Sequence, residues 1–270
     1  MDRHSIASQD LNTMLRATPV PAFADNYIWL LGDGDGRRVA IVDPGEADPV
    51  LEVLDARGLD PAAILITHHH GDHVGGIRGL RQRYAIPVFG PAHESIPLAD
   101  HPLLDGDPVQ VSGTRLAFRV LEVPGHTRGH IAYLGHGAVF CGDTLFTAGC
   151  GRLFEGTAEQ MFASLKRLVA LPDTTQVYCA HEYTLDNLEF ARVVEPDNPD
   201  VLGRWRSTQA ARAERQPTVP ATLGLEKLTN PFLRSEVPAI VRAAENFAGR
   251  RLQPGAEVFA VVRHWKDTRD

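Results

Sequence analysis

One stretch constrains this chain more than any other: Ile64-Leu65-Ile66-Thr67-His68-His69-His70-Gly71-Asp72-His73. A short apolar run opens into imidazoles and one carboxylate. Neutral imidazole nitrogen and carboxylate oxygen are what zinc, iron and manganese accept as ligands. The spacing argues against a helix, where residues two apart diverge by about 200° and His68 and His70 would face apart. On extended backbone His68, His70 and Asp72 project to one side, and a turn at Gly71-Asp72 brings His73 round. The apolar run reads as a buried strand and Gly75-Gly76 as a turn, so the expected geometry is a strand ending at a metal-binding loop. A purification-tag histidine run would sit at a terminus and hold no ordered carboxylate.

Upstream, Asn26 to Leu31 reads as a strand, residues 32–36 as a glycine-rich hairpin loop, and Arg38 to Val42 as the returning strand. Asp48 to Arg57 has helical apolar spacing and stops at Gly58. Downstream, Ile77 to Tyr84 reads as a helix and Pro87 to Phe89 as a short strand. Val109–Val111, Leu116–Val123, Ile131–Leu134, Ala138–Cys141 and Gln176–Cys179 also read as strands, with an amphipathic helix over Ala158–Ala170. After His181 the texture changes: Leu185–Val194, Pro199–Arg215, Glu236–Phe247 and Ala256–Trp265 are helix-like, with no strand pattern. The expected division is a flexible extension over 1–16, a metal-binding catalytic domain over 17–183 and a helical substrate-binding domain over 184–270.

Three later stretches repeat the logic of the first. Val120–Val123 runs into Pro124-Gly125-His126, Val139–Gly142 into Asp143, and Val177–Ala180 into His181. A lone histidine at a strand end is ordinary polar termination. Four such ends in one chain imply convergence on one rim of a sheet sandwich. His68, His70, Asp72, His73, His126, Asp143 and His181 exceed one tetrahedral zinc and suit two metals with a bridging carboxylate. His69 and His130 are expected beside the ligands or at the surface. Asp43 either orients a ligating imidazole or serves turn chemistry. Cys141 and Cys179 are expected to be small buried residues rather than ligands.

Composition bounds the rest. With 270 residues, 43% hydrophobic and 23% charged, the chain has the balance of an ordinary soluble protein. A net charge of -7 and a pI of about 5.9 argue against a nucleic-acid surface. No apolar run is long enough to span a bilayer, and the polar N-terminus is unlike a secretory signal. Three cysteines suggest a reducing cytoplasm and no disulfide framework.

The motifs His-x-His-x-Asp-His at 68–73, Gly-His-Thr at 125–127, Gly-Asp-Thr at 142–144 and the late His181 resemble the metallo-β-lactamase superfamily. The stretches 144–152 and 178–184, Asn230-Pro231-Phe232-Leu233-Arg234, and the terminal Arg263, Lys266 and Asp267 resemble the hydroxyacylglutathione hydrolase (glyoxalase II) family within it. The resemblance runs from about Asn26 to the C-terminus. It implies an α+β fold, a four-layer αββα sandwich followed by a smaller, mostly helical domain. It also implies one metal on His68, His70 and His126, a second on Asp72, His73 and His181, and Asp143 bridging them. Zinc is the leading expectation, with iron or manganese as alternatives.

By the same resemblance Arg152, Tyr183, Arg263 and Lys266 hold glutathione, whose carboxylates suit Arg and Lys. Phe154 stands where some members have Tyr, and Arg152 where others have Lys. The implied reaction is attack of a metal-bridging hydroxide on the thioester of S-D-lactoylglutathione, releasing glutathione and D-lactate, the second step of methylglyoxal detoxification. Asp72 ligates one metal and orients the nucleophile. The expected partner is this small molecule alone, with no nucleic acid and no membrane, and the expected state is a monomer. Two alternatives compete: an iron-dependent glutathione persulfide dioxygenase of the same superfamily, using one iron and fewer ligands, and a non-catalytic metal-binding module.

Overall fold

Apolar runs without polar alternation need cover on both faces, and the N-terminal half is used that way. The structure, a computed structural model, describes residues 15–34 and 36–269. Its first sheet is six strands in sequential order: β1 (Leu15–Ala22), β2 (Asn26–Asp33), β3 (Arg38–Val42), β4 (Asp60–Leu65), β5 (Val88–Pro91) and β6 (His101–Leu103). Side chains alternate between two buried faces. Tyr27, Trp29, Leu31, Ala63 and Leu65 enter the core between the sheets. Ile28, Leu30, Ile64 and Ile66 pack on the other side. That side is covered by α1 (Asp48–Arg57), the single turn α2 (Gly71–Val74) and α3 (Ile77–Arg83), through Val50, Leu54, Val74, Ile77 and Leu80.

The second sheet begins with β7 (Pro108–Gln110), β8 (Ala117–Glu122), β9 (Ile131–Gly135) and β10 (Ala138–Gly142). A separate hairpin follows, β11 (Leu145–Phe146) with β12 (Gly149–Cys150), and then α4 (Ala158–Val169). Strands β13 (Gln176–Cys179) and β14 (Ala221–Thr222) complete the order β14-β13-β10-β9-β8-β7. A reciprocal cap starts α4: the Gln160 N–H donates to Thr157 Oγ1, and the Thr157 N–H to Gln160 Oε1. Its buried face is Met161, Leu165 and Leu168. The remaining helices are α5 (Thr184–Val194), α6 (Pro199–Ala213), α7 (Leu223–Thr229), α8 (Pro238–Ala248) and α9 (Ala256–Asp267). Sheets between helical layers, with helices at the C-terminal end, are the expected αββα architecture.

The helical part shares its core with the sandwich. Phe232, Ile240, Val258 and Phe259 belong to the same buried cluster as Val139, Phe140 and Met161.

Three expectations change. The first fourteen residues of the extension placed at 1–16 lie outside the described residues, but Leu15 and Arg16 pair with Asp33 and Gly32 in β1. Asp72 and His73 sit on the helical turn α2, where the Val74 N–H donates to His70 O and the Gly75 N–H to Gly71 O. The extended segment ends at His70, because a helical turn swings His73 back toward the strand ends. Finally, the region after His181 does hold a strand: Ala221–Thr222 pairs with β13.

Candidate metal centre

Strand polarity explains why distant residues meet. β8 is antiparallel to β9, β9 to β10, and β10 is parallel to β13. Strands β8, β10 and β13 therefore end on the same rim, delivering His126, Asp143 and His181. β3 and β4 are parallel in the other sheet and deliver Asp43 and the Thr67–His70 segment. Backbone bonds join the two rims: the Ile131 N–H donates to Thr67 O, and the Tyr27 N–H to Ala180 O at 2.7 Å. Gly142 makes the close approach. Its φ is +47°, and a Cβ there would lie 2.3 Å from Thr67 Oγ1.

All seven expected ligands come together, in three overlapping groups: His68, His70 and His126; His68, His73 and Asp143; and Asp72, His73 and His181. His70 Nδ1 lies 3.1 Å from His68 Nε2 and 3.0 Å from His126 Nε2. Asp143 Oδ1 lies 3.4 Å from both His73 Nε2 and His181 Nε2, and Oδ2 lies 3.4 Å from His126 Nε2. Asp143 thus touches both sets. Asp72 Oδ2 is 3.5 Å from His73 Nε2 and from His181 Nε2. His68, His73, His126, Asp143 and His181 are buried, and only Asp72 and His70 reach the open side.

On His68, His126 and His181 the outward nitrogen has a partner, which fixes the nitrogen each of these rings offers. His68 Nδ1 meets Thr67 Oγ1 at 3.1 Å, and that hydroxyl donates to Asp43 Oδ2. His126 Nδ1 meets the Arg152 carbonyl at 2.8 Å, and His181 Nδ1 meets Asp25 Oδ1 at 2.7 Å. Asp43 Oδ2 lies 3.1 Å from His73 Nδ1, and the Asn26 amide donates to Asp72 Oδ2. Asp43 therefore serves the imidazoles as well as the turn, and it holds a positive φ of 50° to do so.

The electrostatics divide the rings. Burial pushes His68, His70 and His126 below the ordinary imidazole value, so they are neutral donors at neutral pH. Burial opposes charge at His73 and His181 too, but there the carboxylates win. Asp143 and Asp43 raise His73, and Asp143, Asp72 and Asp25 raise His181 to about 10. Burial is likewise overcome at Asp72 and Asp143, which the His181 and His73 partners hold below the usual carboxylate range.

Both ring nitrogens of His73 and Asp143 Oδ1 are buried without a hydrogen bond among the described residues. Orphaned buried polar atoms are costly. Lone pairs from neutral imidazoles and ionised carboxylates fit divalent cations, so the donor set and the expected metals agree.

His130 is buried, stacks on His68 with ring centroids 4.6 Å apart, and accepts from the Asp143 N–H. His69 pairs with Glu94 and Glu155 instead of entering the cluster. Cys141 and Cys179 are buried thiols whose pKa burial raises, that of Cys179 to about 12.

Beside the cluster opens a cavity of about 470 Å³. His126 and Asp143 line one end, and Arg152, Tyr183, Arg263 and Lys266 line its wall with Phe146, Cys150 and Phe154. Arg263 is buried; its Nη1 donates to the Cys150 carbonyl and its Nη2 to Asp267 Oδ1. Lys266 is 8% exposed, so neither residue is a solvated helix end. Tyr183 stacks on His181 at 4.7 Å, and the exposed Phe154 meets His70 and His126 edge-on.

Sequence reasoning missed Asp25, Asn26, Thr67 and Glu94, and on the cavity wall Asp186 and Asn187. Asp25 and Asn26 start a strand whose far end draws attention. No sequence pattern marks them, because what places them is a bridge from Asn26 to His181, residues far apart in sequence.

Comparison with known proteins gives two family matches. Residues 23–181 match the metallo-β-lactamase superfamily and residues 182–269 match the hydroxyacylglutathione hydrolase C-terminus. A hydroxyacylglutathione hydrolase of Alkalilimnicola ehrlichii is 55% identical over 254 residues, covering 94% of this chain and 99% of its own. Among solved structures, ETHE1 from Myxococcus xanthus superposes with a TM-score of 0.63 at 26% identity, over 95% of this chain and all of its own (100%). TTHA1623, solved in a di-iron-bound form, gives a TM-score of 0.57 at 30% identity, over 80% of this chain and 100% of its own.

Proposed function

Because the chain belongs to the hydroxyacylglutathione hydrolases of the metallo-β-lactamase superfamily, we propose that its rim cluster holds two divalent metals and that the adjoining cavity seats the glutathione moiety of a 2-hydroxyacyl thioester. The chain is a thioester hydrolase acting on hydroxyacylglutathione, and it binds divalent metal. The observation that carries the finer assignment is the Asp143 carboxylate, shared between two histidine sets at the mouth of a cation-lined cavity.

His68, His70 and His126 would hold one metal, Asp72, His73 and His181 the other, and Asp143 both. When bound, the pair supplies a water of lowered pKa and Lewis acidity toward a carbonyl oxygen. Asp72 is one of two ligands that reach the open side and is steadied by Asn26, so it would orient the attacking water as well as ligate. Arg152 and Lys266 pair with carboxylates of the tripeptide, and Tyr183 stacks along it. Arg263 lines the same wall and is anchored to the Cys150 carbonyl. The leaving thiolate needs no dedicated acid, and the buried, pKa-raised Cys141 and Cys179 offer no competing nucleophile.

S-D-lactoylglutathione is the proposed substrate, with D-lactate the acid released. Zinc is the proposed metal, and iron or manganese fits the same donors. The persulfide dioxygenase alternative is not favoured, given a hydrolase relative at 55% identity over nearly the full chain. Residues 17–183 are proposed as the catalytic unit and 184–270 as the substrate-binding unit. A monomer suffices, since one chain supplies every ligand and wall residue. No described helix is long and apolar enough to cross a membrane. Three free thiols support a reducing cytoplasmic setting.

The test follows thiol release from S-D-lactoylglutathione by the zinc-loaded chain, with a chelated sample beside it. Chelator-sensitive turnover is expected. Absence of turnover by a chain carrying two metals would overturn the assignment.

A further inference from the structure

The site that takes His68, His70 and His126 is built from two loops of different sheets, and something must set their separation. At their bases the Ile131 N–H donates to Thr67 O and the His130 ring stacks on His68; farther out a bridge has to come from a third segment. The buried Glu94 carboxylate does reach both. It follows β5, and its side chain is 3% exposed.

One oxygen serves each loop. Oε2 accepts from the His69 N–H at 2.6 Å and lies 2.9 Å from His69 Nδ1, in the middle of the His68–His70 segment. Oε1 accepts from the Thr127 hydroxyl and from the Gly129 N–H at 3.0 Å, on the segment that starts at His126. The fit is close enough to exclude a side chain at residue 129, where a Cβ would lie 2.5 Å from Glu94 Cγ. A second acid continues the clamp. His69 Nε2 lies 3.3 Å from Glu155 Oε1, and Glu155 Oε2 accepts from the Arg128 N–H. Histidine 69, the one imidazole of the cluster sequence that ligates nothing, is thus a spacer between two carboxylates.

We propose that Glu94 is a positioning residue that sets the spacing of the His68–His70 and His126–Gly129 loops, and with it the affinity of the first metal position. The inference rests on the metal-binding assignment and not on the thioesterase one. An ionised carboxylate is needed because both oxygens accept. A glutamine can accept with one oxygen only, so its NH₂ must face the donors of one loop whichever way it turns. Aspartate is one carbon short of spanning both. The Asp72, His73 and His181 set gains nothing from Glu94, since its outward partners are Asn26, Asp43 and Asp25.

Zinc titration with a chromophoric chelator in competition tests this. The titration is run in the wild-type chain, in Glu94→Gln and in Thr127→Val, each also combined with His181→Ala so that the first position is read alone. Glu94→Gln is expected to weaken the first position 10–100-fold, the range for outer partners of a ligand. The second position, read with His70→Ala, should stay within two-fold. Thr127→Val removes one of four donors and is expected to cost a few-fold at the first position, which keeps the idea testable should Glu94→Gln fold poorly. Cobalt absorption bands of the first position should shift in Glu94→Gln. Equal losses at both positions, or a first-position affinity within two-fold of wild type in both variants, would overturn the proposal. A wild-type chain that takes up no zinc would instead overturn the metal assignment beneath it.

Discussion

At the scale of residues, the centre is a set of proton sites that a metal must empty. His181 stands at about 10 and His73 well above the ordinary 6.5, whereas His68, His70 and His126 stand below it. Zinc uptake at pH 7 should therefore release at least two protons, one each from His73 and His181, and a further one to the extent that the metal-bound water ionises. Calorimetric titration in buffers of different ionisation enthalpy measures this. Affinity should rise with pH up to about 10, where His181 loses its proton unaided. The metal-free chain should behave oppositely. A raised folded pKa contributes stability that is fully present below 6.5 and is lost as pH climbs through about 10, so its melting temperature should fall across that window. Asp72→Asn keeps the shape but removes the charge proposed to orient water. It should lower kcat by about 100-fold or more, with a smaller change in KM. The ligands were legible in the sequence because each ends or closely follows an apolar strand and all are metal-type donors. Asp25, Thr67 and Glu94 were not, since a carboxylate or hydroxyl in a loop has many uses and only packing selects one.

At the scale of elements, what the sequence concealed follows from edges and short turns. β1 carries Pro19 and Pro21, which argue against a strand. It is nevertheless an edge strand, first in its sheet, where a missing N–H costs little. The turn α2 has only four residues, too few for periodicity to register. The central strands β2, β3 and β4 were legible because burial on both faces demands unbroken apolar runs. The hairpin of β11 and β12 was invisible. It carries Phe146 and Cys150 to the cavity wall, and residues of the helical part hold it. The Ala148 N–H donates to Glu226 Oε2 at 2.7 Å, and the Asn230 amide donates to the Phe146 and Gly149 carbonyls. Glu226 is fully buried and paired with Arg204. Glu226→Ala would strand that guanidinium and free the hairpin. It should cost about 3–5 kcal/mol in denaturant unfolding and raise KM in whatever fraction remains folded.

At the scale of the whole molecule, an acidic protein must receive an acidic substrate. The net charge of -7 repels a glutathione thioester at long range, whereas Arg152, Arg263 and Lys266, the cations proposed to hold it, would attract it inside the cavity. The two effects have different reach. A Debye length of about 30 Å at 10 mM salt lets the global field act, and one of about 10 Å at 0.1 M largely removes it. Contacts within the cavity are screened far less. Between these conditions KM should therefore fall for the wild-type chain, as repulsion is lost before attraction is. Each cavity cation should then be separable from the field by mutation. Removing a charge-assisted contact worth about 1.4 kcal/mol raises KM about 10-fold. A contact to the glutathione moiety alone would act alike in ground and transition states, so kcat should stay within about two-fold. Lys266→Ala and Arg152→Ala are expected to behave this way in steady-state assays. Arg263→Ala should differ, because its guanidinium also ties α9 to the Cys150 carbonyl, and it should lose stability along with affinity. An unchanged KM in both Lys266→Ala and Arg152→Ala would remove the cavity from substrate binding. The shared core of sandwich and helices would then need an explanation other than building that wall, because the helical part contributes Lys266 and Arg263 only by packing α9 against the catalytic layers.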